Sequence, residues 1–72
     1  MREITVLAAL NQDSLETNGA DVEQTNCETV KEAKIRARYY LTDDFMRVSE
    51  SATRLTYAQV LINGECIYDY FR

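Results

Sequence analysis

The chain contains no histidine. That removes the side chain most often used as a general base, as a metal ligand and as the relay behind a nucleophilic serine or cysteine. Two cysteines and a group of carboxylates are the chemistry that remains. Cys27 and Cys66 lie far apart and lack the C-x-x-C spacing of a redox or zinc motif. As a pair they could be a disulfide, half a zinc site or two unrelated thiols, and inert thiols packed as small hydrophobes are the favoured reading. Asp13, Glu16, Asp21 and Glu23 do not match a calcium loop, which needs oxygen ligands at alternate positions and a glycine at the sixth. They read as solvated surface charge. Gly19 and Gly64 are the only glycines, and each follows an asparagine, so no glycine-rich phosphate loop exists. The expectation is a protein that is not an enzyme and takes no cofactor or metal.

Charge and aromatic patterning are more informative. The net charge is −4, which argues against broad, non-specific binding to nucleic acid. The charge is segregated. Asp13, Glu16, Asp21, Glu23 and Glu28 fall in a stretch with no base, whereas Lys31, Lys34, Arg36 and Arg38 share theirs with one acid, Glu32. At 100° per residue, Lys31, Lys34 and Arg38 form a row along one side of a helix. Such a row could contact phosphates or an acidic partner. The favoured reading is that its side chains frame a core edge and pair with the acidic segment. Tyr57, Tyr68 and Tyr70 are expected on one sheet face, where large rings with polar tips suit a protein interface.

The elements that must position these residues begin with the C-terminal stretch. Residues 57–62 and 65–71 are both β-rich and are separated only by Asn63-Gly64. Asparagine and glycine tolerate positive φ, which suits the type I′ turn whose twist matches the flanking strands. A two-residue turn predicts Val60 opposite Ile67 and Ile62 opposite Glu65, with Leu61–Cys66, Gln59–Tyr68 and Tyr57–Tyr70 on the other face. Residues 3–10 alternate as a first strand, with Ile4, Val6, Ala8 and Leu10 on one side. A helix is expected to start between Thr25 and Thr29, since both Thr25-x-x-Glu28 and Thr29-x-x-Glu32 fit a capping box. Val30, Ala33, Ala37, Tyr40 and Leu41 share its apolar stripe, and Glu32 and Arg36 form an i,i+4 pair. Thr42, followed by Asp43 and Asp44, offers a new N-cap, so the helix either continues through Val48 or breaks there. Residues 49–53 then link to the hairpin. Residues 11–26 read either as a long loop or as a second hairpin turning at Asn18-Gly19.

These elements predict a single α+β domain over residues 1–72. It is a β-α-β-β arrangement: a three-stranded antiparallel sheet of order 1-3-2 with one main helix packed on one face. The order follows from a right-handed crossover joining the first two strands, with the last strand inserted between them. Ala58, Val60, Ile62 and Ile67 are expected beneath the helix.

The stretches Tyr57–Cys66, Tyr68–Phe71 and Ala37–Leu41 resemble small uncharacterised proteins of bacterial phages and mobile elements. That resemblance implies a bacterial, cytoplasmic setting and carries no site residues. The N-terminus lacks the apolar stretch of a signal peptide and no run is long enough to span a membrane, which also points to the cytoplasm. The expected function is a non-enzymatic protein-binding module, an accessory or inhibitory protein of such an element. It would act through Tyr57, Tyr68 and Tyr70 and through Asp13, Glu16, Asp21 and Glu23. The alternatives are nucleic-acid binding through Lys31, Lys34 and Arg38, and a small homodimer.

Overall fold

The computed structural model describes residues 3–49 and 54–72. Four strands form one antiparallel sheet: β1 (Ile4–Ala9), β2 (Val22–Gln24), β3 (Tyr57–Ile62) and β4 (Glu65–Phe71), in the order β2-β1-β3-β4. Three helices accompany them: α1 (Gln12–Asn18), α2 (Val30–Tyr39) and α3 (Asp43–Val48). The α+β class and the antiparallel sheet agree with the sequence. The strand count, the strand order and the number of helices do not.

Residues 11–26 are neither a loop nor a hairpin. The Asn11 side chain accepts from the Ser14 N–H at 2.7 Å and so caps α1. Gly19, at φ +84°, ends the helix, and its N–H donates to the Leu15 carbonyl. Asn18-Gly19 is therefore a helix stop. Beyond it β2 pairs with β1, Val22 opposite Ala8 and Gln24 opposite Val6.

The expected crossover to a parallel strand also gives way. β1 lies directly against β3, antiparallel, with Ile4 opposite Ile62 and Ala8 opposite Ala58. The Asn63 side chain accepts from the Glu3 N–H at 2.9 Å, and the Asn63 N–H donates to the Glu3 carbonyl at 2.8 Å. At the other end the Thr56 N–H donates to the Ala9 carbonyl. β3 is thus held at both ends. The two central strands are both buried on both faces, β3 through Tyr57, Ala58 and Val60 and β1 through Ile4, Val6, Ala8 and Ala9. β4, with Glu65 and Asp69 exposed, takes the edge, where carboxylates stay hydrated.

The hairpin turn forms as expected, with Asn63 at φ +53° and Gly64 at φ +84°. Ile62–Glu65 and Leu61–Cys66 pair as the turn dictates. A β-bulge then inserts Ile67, so that Val60 faces Tyr68, Gln59 faces Asp69, Ala58 faces Tyr70 and Tyr57 faces Phe71. The uninterrupted register would have set the Asp69 carboxylate opposite Ala58, which is fully buried. Burying an unpaired carboxylate is very costly. The bulge puts the Tyr70 ring there instead, where it packs against the core, and leaves Ile67 45% exposed rather than beneath the helix.

The core lies between the sheet and α2. Ile4, Val6, Ala8, Ala58 and Val60 meet Ala33, Ala37, Tyr40 and Leu41. Leu10, expected on the same buried side, is 42% exposed beyond the end of β1. Thr29 is the N-cap of α2, its hydroxyl accepting from the Glu32 N–H at 3.0 Å. The helix does break: Thr42 caps α3, and Tyr39, Tyr40 and Phe45 cluster across the junction with ring centroids 4.8–6.0 Å apart. Arg72, after β4, and Arg54 pair with Asp43 at the start of α3. The Arg72 guanidinium holds the Asp43 carboxyl below its usual range. The expected link over residues 49–53 lies, after Ser49, outside the described residues.

Candidate interaction surfaces

The bulge divides the tyrosines. Tyr68 and Tyr70 sit on the α2 side of the sheet, and Tyr57 sits on the opposite side. The single tyrosine face expected from the sequence does not exist. Tyr57 is buried, at 1% exposure, and stacks with Phe71 at 4.9 Å between centroids. Its hydroxyl accepts from the Gln59 amide at 2.8 Å. Burial raises its pKa above the ordinary tyrosine range. Tyr57 is a packing residue and cannot anchor a partner.

The acidic residues do not join the tyrosines either. Glu23 lies on β2, at the opposite edge from β4. The Asp21 carboxylate accepts from the Leu10 N–H at 3.2 Å, so part of its role is structural. Asp13 and Glu16 are on α1, which packs on β1.

The basic row, by contrast, is assembled. Val30, Lys31, Lys34, Ile35 and Arg38 line a shallow groove of about 330 Å³ along α2. Arg38 also borders a second depression with Leu41, Tyr70, Phe71 and Arg72 at the end of β4. The two share Arg38, on the flank of α2. The Lys34 ammonium lies 4.4 Å from the centroid of the Tyr68 ring, a cation–π contact across that flank. Ile35 is 60% exposed beside it. Among the described residues the ion pairs are Arg47–Asp44, Arg54–Asp43 and Arg72–Asp43. Lys31, Lys34 and Arg38 enter none of them, nor does the expected Glu32–Arg36 pair. The acidic segment therefore does not neutralise the basic row.

The sheet face opposite α2 carries Thr5, Leu7, Leu61, Cys66 and Phe71, the last 66% exposed. Cys66 is exposed and Cys27 is buried, and both are free thiols. Burial pushes both thiols above the ordinary cysteine range, and Glu32 adds to the effect at Cys27. Titration with a thiol reagent is expected to modify Cys66 promptly and Cys27 only on unfolding. Simultaneous reaction of both thiols in the folded protein would contradict the burial of Cys27. Among the described residues no three cysteines and carboxylates converge on a metal-sized site, and no helix is long and apolar enough to cross a membrane.

Compared with protein-family models, curated proteins and solved structures, the chain matches none.

Proposed function

We propose that this chain is a non-enzymatic protein-binding module that engages an acidic partner through the groove along α2. The observation that carries this reading is the row Lys31, Lys34 and Arg38, which enters no ion pair among the described residues, with exposed Ile35 beside it and Lys34 over the Tyr68 ring. Its cations would speed encounter with an acidic surface, while the apolar and aromatic groups supply contact area. The resemblance of residues 37–41, 57–66 and 68–71 to phage and mobile-element proteins suggests the setting, an accessory or inhibitory protein in the bacterial cytoplasm.

The triple variant Lys31→Glu, Lys34→Glu, Arg38→Glu changes only the groove side of α2 and is expected to retain the circular dichroism of the parent. Proteins captured by the immobilised parent from bacterial lysate should be lost with the variant. They should also be lost as salt rises from about 50 to about 500 mM, where charge interactions are screened over a few ångströms. A captured set indifferent to both changes would remove the groove from the argument.

Nucleic-acid binding is the second reading, because it would use the same three cations. Its arm of the test is a labelled oligonucleotide, single- or double-stranded, that binds at about 50 mM salt and dissociates steeply as salt increases. The net charge of −4 weighs against it.

A further inference from the structure

We propose that the outer edge of β4 accepts an extended segment of a partner protein as a fifth strand, one whose side chains alternate acidic and apolar. The inference rests on the protein-binding reading above and specifies how the partner is held. β4 is the last strand of the sheet and is seven residues long, whereas β2 at the other edge has three. The Arg72 N–H donates to the Thr56 carbonyl at 2.9 Å, which fixes the phase of the ladder. By alternation, the backbone groups of Asp69 and Phe71 point away from β3. They present the donors and acceptors, two residues apart, that an added strand requires.

The side chains around that edge dictate the pattern. On the α2 side an incoming strand lies beside Tyr68 and Tyr70, near Lys34, whose ammonium is over the Tyr68 ring, and near Arg38, which borders the depression with Tyr70 and Phe71. Carboxylates fit there. On the opposite side it meets Phe71 and Cys66, with the Asp69 carboxylate between them. Apolar residues fit that side, and a second carboxylate would be repelled. Alternation of acid and apolar residue therefore follows from the two faces of one strand. A second copy of this chain is a poorer occupant. Two β4 edges brought together would set one basic row against the other, and the acidic edge strand β2 is too short to cover β4.

The test titrates a short peptide of alternating valine and glutamate into the isotope-labelled full chain. The Asp69 and Phe71 amides should shift most and exchange more slowly with solvent. Alternating valine and lysine should not bind, and Lys34→Glu with Arg38→Glu should weaken binding by at least about tenfold. A peptide N-methylated at the amides that would face β4 leaves the protein untouched and should fail to bind. Equal binding of the methylated peptide would overturn strand addition while leaving the acidic-partner reading intact. Loss of both the peptide response and the charge-dependent lysate capture would overturn both. Shifts confined to Leu7 and Leu61, or shifts produced by chain concentration alone, would replace the proposed occupant with the open sheet face or a second copy.

Discussion

Replacing Tyr57 with alanine is expected to destabilise the fold by about 3–5 kcal/mol, the range for truncating a buried aromatic side chain. Among the described residues Tyr57 is the largest fully buried side chain, and it sits on the face of the sheet that α2 does not cover. Its removal takes away the ring stacked on Phe71 and the acceptor for Gln59. A chain of this length has a total stability of about 4–11 kcal/mol, so the loss is between roughly a quarter of the total and all of it. Tyr57→Phe keeps the ring and should cost only about 1 kcal/mol, the value of one hydrogen bond. Urea midpoints for the two variants separate packing from hydrogen bonding. An alanine variant within 1 kcal/mol of the parent, on the order of one ordinary hydrogen bond, would mean that this end of the sheet is not packed. A pH dependence accompanies the same residue. Its folded-state pKa is raised, so its contribution is complete below the ordinary tyrosine range and declines as pH rises through it. Tyr40 shifts in the same direction through burial, so Tyr57→Phe should reduce the alkaline loss and not abolish it.

Enlarging Ala37 to leucine is expected to cost about 1–3 kcal/mol through overpacking. Ala33 and Ala37 on α2 and Ala8 and Ala58 on the sheet are all completely buried in one cluster. Small residues on both sides let the helix axis approach the strands closely, and a leucine has no void to enter. For a domain of this size a loss of about 2 kcal/mol lowers the melting temperature by roughly 8–16 °C. The chain can relieve the clash only by lifting α2, which carries Lys34 away from the Tyr68 ring. The melting temperature and the Tyr68 ring-proton shifts should therefore change together. A leucine variant that melts like the parent would show that α2 does not sit against Ala8 and Ala58.

Local chemistry accounts for what could be read in advance. Thr29 and Thr42 are caps whose side chains have obvious N–H partners three residues on, and Asn63-Gly64 admits few conformations. The alanine stripe of α2 is periodic. Each of these signals lies within a few residues. α1 gives no such signal although Asn11 and Gly19 bracket it, because its seven residues contain one large apolar side chain, Leu15, and no amphipathic period. The strand order depended on contacts between distant segments, above all the clasp of Asn63 on Glu3, which no local pattern announces. The basic row was visible as helical spacing. Its setting was not, because the Tyr68 ring reaches it only through the bulge. Asp69 was the available clue: the regular register condemned a carboxylate to the core.

Ile67 is the spare residue of the hairpin. Deleting it would leave Tyr68 opposite Val60, Asp69 opposite Gln59 and Tyr70 opposite Ala58, now in an uninterrupted ladder. Keeping it while straightening the bulge is what would exchange the two sides of everything beyond, turning rings now shaded by the helix to solvent and a carboxylate inward. The irregularity thus lets a strand one residue too long keep its recognition surface.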